Sequence, residues 1–258
     1  MSSGEDFSSR IWKSSKKKQS NIVLSLDPVQ ENDISKYLYE IVSLLESGIC
    51  AIKFNLHVIV PLGQDEMTKI IQMCHSYGVQ VIADIKLNDI PSTNEIALKC
   101  LVEEGFDAII ANPIIGRLET IELVKKAHSL GAGILAIIYM SHPGASQTYG
   151  IQVYARSEKN GTRKVPMYRL LLKYAKEAKV DGLIVGATRP NIIKEIASVK
   201  PAPIFSPGLG HQGGNILQAS KYGVDYFIIG RSIIQSAEPF KTLGLLQDSL
   251  KKRQEPCS

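Results

Sequence analysis

The chain has 258 residues, of which 44% are apolar and 21% charged, and its formal net charge is +5. This composition is typical of a soluble globular protein with room for one large domain or two small ones. No apolar run reaches the ~20 residues of a membrane-spanning helix, so we expect no such helix.

Residues 1–20 predict a basic, disordered N-terminal tail. They carry five Lys and Arg residues against Glu5 and Asp6, and they lack the apolar core of a secretory signal. Residues 251–258 are also basic and polar, and we predict a C-terminal tail there. Because the positive charge is concentrated at the two ends, we expect solvated tails and no sequence-specific nucleic-acid binding. Weak RNA association through the tails is the alternative.

From Asn21 onward, short apolar runs alternate with longer segments of helical period. Each run is too short to be a helix and too uniformly apolar to face water on one side, which is typical of parallel strands covered on both faces. The runs lie at 21–27, 50–55, 79–86, 107–112, 133–140, 181–187, 202–207 and 225–230.

Apolar residues recur at helical spacing between these runs, as Ile34, Leu38, Ile41 and Leu45 do in the first such segment. Several of these segments are followed by glycine, where a left-handed residue commonly ends a helix. The predicted helices span 33–46, 65–77, 91–104, 117–129, 166–179, 190–199, 214–222 and 238–251, and the glycines are Gly48, Gly78, Gly105, Gly131 and Gly223.

Eight strand–helix units predict an α/β fold in which residues 21–250 form one domain, a (β/α)8 TIM barrel, since such barrels need ~250 residues. An open, doubly wound sheet is the structural alternative, but it more often has fewer strands. The link at 142–166 has turn residues and charge but little periodicity. A link of that length predicts a functional loop or lid, or a mobile insertion.

The four cysteines, Cys50, Cys74, Cys100 and Cys257, are widely spaced and form no CxxC pair. This spacing indicates neither a zinc site nor a disulfide framework, and it predicts reduced thiols in a cytoplasmic protein. The sequence shows no flavin or pyridoxal motif and no histidine at metal-ligand spacing. We therefore expect neither a metal nor a cofactor.

Charged residues end the third apolar run, in the stretch ADIKLNDIPSTN (83–94). Asp84 and Lys86 are two residues apart, so their side chains point to one face of a strand. In a barrel of this kind, active sites lie at the C-terminal ends of the strands, and burying charges there is costly unless they are paired. We predict an alternating array of Lys53, Asp84, Lys86 and Asp89, with Asp27 ending the first strand.

Each of these residues also has an ordinary structural interpretation. Asp27 precedes a proline and suits a turn, and Lys53 suits the solvent-facing end of a strand. Asp89 and Thr93 flank Pro91, and Pro suits a first helical turn. Their joint occurrence at the ends of adjacent strands favours a functional array.

A glycine-rich segment, SPGLGHQGGN (206–215), follows the seventh run, and Gly230 and Arg231 follow the eighth. Glycines allow backbone N–H groups to approach a ligand closely, Gln212 adds a donor, and an arginine can hold two oxygens of an anion. Loops after strands seven and eight are the usual phosphate site of these barrels. The sequence therefore predicts a phosphate site, and a flexible turn with a surface arginine is the alternative.

These motifs resemble the orotidine 5′-phosphate decarboxylase family, particularly its compact archaeal type. The matching segments are LSLD (24–27), AIKFN (51–55), ADIKLNDIPSTN (83–94), MSHPGA (140–145), SPGLGHQGG (206–214) and IIGRS (228–232). The resemblance does not cover residues 1–20, and residues 151–165 are longer than the family needs.

The resemblance implies a (β/α)8 barrel that decarboxylates orotidine 5′-phosphate to UMP without a cofactor, the last step of de novo pyrimidine nucleotide synthesis. It implies catalysis by the charged array, with Lys86 as proton donor, and a homodimer in which the partner supplies Asp89 and Thr93. The implied ribose-binding residues are Asp27 and Lys53, assisted by Asp89 and Thr93 from the partner, with Ile90 near them. The resemblance further implies Ser141 for the pyrimidine, and Pro207, Gln212, Gly230 and Arg231 for the phosphate.

Three other functions stay open. Magnesium-dependent sugar-phosphate decarboxylases and aldolases of the same suprafamily resemble this D-x-K-x-x-D pattern. A non-catalytic phosphate-ligand binder is another candidate, because a fold does not fix a function. An RNA-associated protein that uses its basic tails is the third. The contexts SHPGA and PGLGHQGG, with Ser141 and Gln212, favour the nucleotide decarboxylase.

Overall fold

A computed structural model describes residues 4–27, 33–157, 161–210 and 212–251. Within them, eight parallel strands close into a barrel with helices outside, so the predicted (β/α)8 fold is confirmed. The barrel strands are β1 (Ile22–Leu26), β2 (Ala51–Asn55), β3 (Gln80–Leu87), β4 (Ala108–Ala111), β5 (Gly133–Tyr139), β8 (Gly182–Val185), β9 (Ile204–Ser206) and β10 (Tyr226–Ile229).

Each barrel strand pairs in parallel with the next one in the chain, and β1 pairs with both β2 and β10 to close the sheet. Most of these strand residues are buried, because the barrel interior covers one face and the helices the other. This double burial is the physical reason for the uniformly apolar runs, and all eight predicted strands are present.

The helices match the predicted segments with three differences. The predicted helix at 65–77 begins earlier, at Leu56, and is kinked at Gly63, whose φ is 71°. A short helix at Arg231 was not predicted, and neither was the first helix. The bounds are α1 (Phe7–Lys18), α2 (Ile34–Leu45), α3 (Leu56–Ser76), α4 (Pro91–Glu104), α5 (Arg117–Ser129), α6 (Met167–Ala178), α7 (Pro190–Val199), α8 (Ile216–Lys221), α9 (Arg231–Ile234) and α10 (Pro239–Lys251).

The expected glycine caps are found at four of the five positions. Gly78, Gly105, Gly131 and Gly223 have positive φ, in the left-handed region that favours glycine. Gly48 instead lies in a short 3-10 turn, where an added Cβ would stand 2.6 Å from the Leu243 side chain. Close packing against α10, and not a left-handed backbone, is therefore what requires glycine at this position.

The prediction of a disordered tail at 1–20 is wrong for α1. This helix lies against the N-terminal ends of the strands, where Phe7 and Ile11 are buried in the core. Arg10 pairs with Asp107 at 3.2 Å, and the Ser14 hydroxyl donates to the Cys50 carbonyl at 2.7 Å. The basic residues lie mainly on the outer face of this amphipathic helix. Because they outnumber the few buried apolar residues, the composition of the segment does not reveal its apolar stripe.

Met1–Ser3, and residues 252–258 of the predicted C-terminal tail, lie outside the described residues.

The link at 142–166 contains a 3-10 turn (Pro143–Gln147) and an antiparallel hairpin of β6 (Gln152–Ser157) and β7 (Gly161–Pro166). Tyr168 N–H donates to the Tyr149 carbonyl at 2.9 Å and holds the base of the hairpin on α6. The hairpin is additional to the barrel, and its function as a lid or loop stays a prediction.

In the described part of the chain, no helix is both long and apolar enough to cross a membrane.

Candidate active site

A cavity of about 260 Å³ opens at the C-terminal ends of the barrel strands. Its position follows from the fold, because loops after the strands surround this end of the barrel and the interior below is filled by side chains. The predicted site residues that line it are Asp27, Lys53, Asp84, Lys86, Ser141, Pro207, Gln212, Gly230 and Arg231.

The centre of the cavity is a carboxylate between two ammonium groups. Lys53 Nζ lies 2.7 Å from Asp84 Oδ2, and Lys86 Nζ lies 2.9 Å from Asp84 Oδ1. Lys53 and Asp84 are only 4% and 9% exposed, whereas the Lys86 side chain is 45% exposed. Asp84 therefore has both oxygens paired, and Lys86 is the most exposed of the three side chains.

The surroundings of Asp84 keep it ionised at neutral pH. Burial alone raises the pKa of the Asp84 carboxyl, but the charges of Lys53 and Lys86, and hydrogen bonds from both, outweigh burial and hold that pKa below its ordinary value. The buried ion pairs thus offset the cost of desolvating the charges. The site presents a fixed negative charge beside two positive ones.

The backbone at Lys86 departs from regular strand geometry. Its φ is +50°, a left-handed conformation that is uncommon for residues with a side chain, and the β3–β4 register shifts between Ala83 and Leu87. Strained residues of this kind occur where surrounding structure imposes them, often at functional sites. At this irregular position, the Lys86 ammonium contacts Asp84 at the end of the strand.

A chain of hydrogen bonds continues from Lys53 to Asp27. Lys53 Nζ donates to the Asn55 amide oxygen, and Asn55 Nδ2 donates to Asp27 Oδ1. Ser25 Oγ donates to Asp27 Oδ2 at 3.0 Å. Ser25 and Asn55 line the cavity but were not predicted as site residues, and neither was His142, which also lines it. Their sequence signals are weak: Asn55 lies two residues after Lys53, Ser25 lies two residues before Asp27, and His142 lies in the matching segment MSHPGA.

Glycines let three loops approach each other at the wall of the cavity. A Cβ on Gly208 would stand 2.8 Å from the Ser141 Cβ and 3.0 Å from the Gln212 side-chain oxygen, and the φ of Gly208 is +90°. A Cβ on Gly230 would stand 2.7 Å from the Ser25 carbonyl oxygen. Glycine at 208 and 230 therefore keeps Ser141, Gln212 and Arg231 around one space, where Arg231 supplies the positive charge.

Asp89, Ile90 and Thr93 do not line the cavity of their own chain. Asp89 Oδ1 accepts a hydrogen bond from Ile90 N–H at 2.7 Å, at the start of α4, and all three residues are exposed. Within one chain, Asp89 and Thr93 are therefore ordinary residues at the start of a helix, the structural alternative to a place in the charged array.

An open groove beside the cavity is formed by part of α3 and the end of β3. It shares Asn55, Asp84 and Lys86 with the cavity, and its outer wall includes Leu56 and Val60, which are exposed. Exposed apolar residues at the edge of a polar site are typical of an interaction surface.

Among the described residues, no three His, Cys, Asp or Glu side chains are grouped so as to hold a metal ion.

The sequence profile described as "Orotidine 5′-phosphate decarboxylase / HUMPS family" matches residues 20–244. The orotidine 5′-phosphate decarboxylase of Pyrococcus abyssi is 31% identical over 232 residues, which are 89% of this chain and 99% of the relative. That of Thermococcus kodakarensis is 34% identical over 223 residues, which are 86% of this chain and 92% of the relative.

Solved structures of orotidine 5′-monophosphate decarboxylases are also similar to this chain. The structure of orotidine 5′-monophosphate decarboxylase from Methanocaldococcus jannaschii in complex with the inhibitor BMP superposes with a TM-score of 0.75 at 30% identity, covering 89% of this chain and 97% of that one. Leishmania donovani UMP synthase has a TM-score of 0.80 at 19% identity, covering 95% of this chain and 56% of that one, and it supports the fold alone.

Proposed function

The chain belongs to the orotidine 5′-phosphate decarboxylase / HUMPS family, and on that premise we propose that it is a carboxy-lyase that converts orotidine 5′-phosphate to UMP and CO₂. This reaction would be the last step of de novo pyrimidine nucleotide synthesis. The observation that carries the proposal is the buried Asp84 carboxylate, held between Lys53 and Lys86 at 2.7 and 2.9 Å in the strand-end cavity.

The proposed mechanism follows from the charges. When the C–C bond to the carboxylate breaks, CO₂ leaves and the electron pair stays on a ring carbon that stabilises it poorly. Asp84 lies beside the substrate carboxylate and disfavours its bound ground state. The Lys86 ammonium stabilises the developing carbanion and then donates its proton to that carbon. The exposure of Lys86 to the cavity and the low pKa of Asp84 support this assignment.

The remaining cavity residues bind the parts of the substrate that do not react. Arg231, Gln212 and Gly230 hold the phosphate, with Pro207 in the loop that closes over it. Ser141 bonds the pyrimidine ring. Asp27 and Lys53 bind the ribose hydroxyls, assisted by the partner subunit's Asp89 and the partner subunit's Thr93. The assignment is supported by the fact that all of the residues contributed by the same chain line one cavity. Binding energy from the phosphate end can then contribute to loop closure and water exclusion at the reacting carbon.

The proposal includes a homodimer in which the partner subunit supplies Asp89 and Thr93, with Ile90 beside them. Three observations support it: these residues are exposed, they lie outside the cavity of their own chain, and a groove opens beside Lys86. The apolar side chains of Ile90 and Val60 are more than 60% exposed, at 63% and 66%, which suits burial against a second copy. A C2 arrangement would make the two contributions reciprocal.

We also propose a cytoplasmic location. Cys50 and Cys74 are buried free thiols and Cys100 is an exposed free thiol. An exposed free thiol persists most readily in a reducing compartment.

The direct test is to incubate the purified protein with orotidine 5′-phosphate and to follow the ultraviolet change on conversion to UMP, with and without a chelator. The proposal expects CO₂ and UMP in equal amounts at a rate that the chelator does not change. No conversion would refute it. Activity that disappears with the chelator and returns with Mg²⁺ would favour the magnesium-dependent enzymes of the same family.

A further inference from the structure

The hairpin of β6 and β7 is a two-stranded sheet that stands apart from the barrel. Its register pairs Gln152 with Pro166 at the base and Ser157 with Gly161 near the tip. None of its described residues lines the cavity, and no backbone hydrogen bond joins either outer edge to another described element. An isolated pair of strands is only marginally stable, and its open edges present N–H and C=O groups with which a further strand can pair.

The hydrogen bond that closes the base of the hairpin identifies the groups that face outward. Met167 N–H donates to the Ile151 carbonyl at 2.8 Å. Bonded and non-bonded pairs alternate along an antiparallel ladder, so Val153 is the next β6 residue to bond across the hairpin. The main-chain groups of Gln152 and Tyr154 therefore point away from β7 and are available to an added strand.

The two edges of the hairpin differ in how they are protected against such addition. Sheet edges are commonly blunted by charged side chains and by proline, which has no N–H to donate. The β7 edge has both features, in Arg163, Lys164 and Pro166. On β6 the only charged residue is Arg156, near the tip, and residues 152–155 are neither charged nor proline. The edge of β6 is therefore the one that is open to a further strand.

The charge of the hairpin indicates which strand would bind there. Residues 151–166 contain four Lys and Arg residues against one Glu, a net charge of +3. The Lys164 ammonium lies 5.3 Å from the centre of the Tyr154 ring, so a positive charge from β7 extends to the face of β6. Tyr154 is 72% exposed, and tyrosine is a common anchor of binding surfaces. A strand added beside Tyr154 thus meets an aromatic ring and an ammonium group, which acidic side chains complement.

We propose that the open edge of β6 is a docking site for an extended acidic segment of a partner protein, which adds to the hairpin as a third strand. Main-chain hydrogen bonds from Gln152 and Tyr154 supply affinity, and Lys164 selects acidic side chains. A second copy of the hairpin carries the same positive charge and is repelled. A nucleic acid is attracted by that charge, but it has no peptide backbone to pair with the edge. The site is separate from the proposed decarboxylase cavity.

The test measures fluorescence anisotropy of two labelled eight-residue peptides with the full-length chain, one alternating Val and Glu and the other alternating Val and Lys. Wild type should bind the Glu peptide at least about tenfold more tightly than the Lys peptide, and added salt should narrow the difference. Tyr154→Pro removes an outward N–H from the open edge and should weaken Glu-peptide binding about tenfold. Thr162→Pro, at an outward position of β7, is the matched control and should leave that binding unchanged.

A charge reversal decides the question if a proline opens the hairpin. Lys164→Glu keeps every main-chain group, and it should reverse the preference, so that the Lys peptide binds more tightly than the Glu peptide. The amide NMR signals of Val153 and Val165, which pair across the hairpin, show whether it stays closed in each variant.

Several results would overturn the proposal. If wild type binds neither peptide, or binds both equally, the hairpin has no site for an acidic strand. If both proline variants keep a closed hairpin and weaken Glu-peptide binding equally, the peptide does not bind at the β6 edge. A concentration-dependent doubling of the mass in solution that Tyr154→Pro abolishes would place a second copy there. Tighter binding of an eight-nucleotide single-stranded RNA than of the Glu peptide would assign the basic hairpin to nucleic acid.

Discussion

The Lys53 ammonium donates to the Asp84 carboxylate across 2.7 Å, and both side chains are buried at the C-terminal end of the barrel. Replacing Asp84 by Asn leaves the Lys53 charge buried without its counter-ion. Removing one partner of a buried pair costs about 3 kcal/mol or more. We expect the free energy of unfolding, measured by urea titration at pH 7, to fall by that amount in Asp84→Asn. The exposed-carboxylate control Asp248→Asn should change it by less than about 0.5 kcal/mol.

The same pair predicts a pH dependence. Because the folded pKa of Asp84 lies below its ordinary value of ~3.9, the unfolded chain binds the proton more readily. The contribution of the Asp84 charge to stability is then fully present above about pH 4 and is lost as the pH falls through the lower folded pKa. The stability difference between wild type and Asp84→Asn should be constant from pH 8 to 5 and shrink below pH 4. A difference that grows on acidification would contradict the assignment.

Arg231 should act on the phosphate alone. Arg231→Ala removes a charge-assisted interaction worth roughly 1.5–3 kcal/mol, so KM for orotidine 5′-phosphate should rise about 10- to 100-fold. The reaction of phosphate-free orotidine should change little. Arg117→Ala, at an exposed arginine on α5, is the control. If the two substrates lose activity equally, Arg231 does not hold the phosphate.

The exchange of Asp89 between subunits can be tested by complementation. Lys86→Ala and Asp89→Ala should each be inactive alone. In a mixed dimer, one site carries both changes and the other carries neither, provided that Asp89 acts on the partner's cavity. Random mixing after dissociation should therefore restore roughly a quarter of the wild-type sites. No recovery, in a mixture shown to contain mixed dimers, would place Asp89 on the cavity of its own chain or outside catalysis.

The N-terminal helix should contribute to the stability of the barrel. Phe7 is 1% exposed and lies against Gly133, where an added Cβ would stand 2.7 Å from its ring. Phe7→Ala should lower the free energy of unfolding by about 3–5 kcal/mol. Trp12→Ala, on the exposed face of the same helix, should change it by about 0.5 kcal/mol or less. Equal effects would mean that α1 is not docked as described.

The barrel could be predicted from sequence because its strands are buried on two faces, which leaves runs such as 133–140 with no polar interruption. The helix α1 was missed because its buried stripe rests on two large apolar residues, Phe7 and Ile11, within a basic segment. Such a stripe stabilises a helix only when it packs against a surface formed by the rest of the chain. Local sequence patterns do not reveal that surface.

The candidate site was predictable where charge stands at a strand end, since Lys53, Asp84 and Lys86 break the apolar pattern. The features of the site that could not be predicted depend on how neighbouring strands are placed, and the alternation of side chains along one strand does not reveal that placement. The left-handed backbone of Lys86 lies where the register against β4 shifts, and the hydrogen bond from Asn55 to Asp27 depends on the position of Asp27 on the neighbouring strand's end. Asn55 is neither charged nor out of place at a strand end, so its sequence signal is weak.

The central claim is that the charged array itself performs the decarboxylation, with Lys86 as proton donor. The most direct measurement is the kcat of Lys86→Ala on orotidine 5′-phosphate, with UMP affinity measured in parallel and Lys69→Ala, at an exposed lysine on α3, as control. We predict that kcat falls by at least about 10³-fold while UMP still binds, since a general acid alone contributes about 10²–10⁴-fold and carbanion stabilisation adds to it. A near-normal kcat in Lys86→Ala would contradict the account.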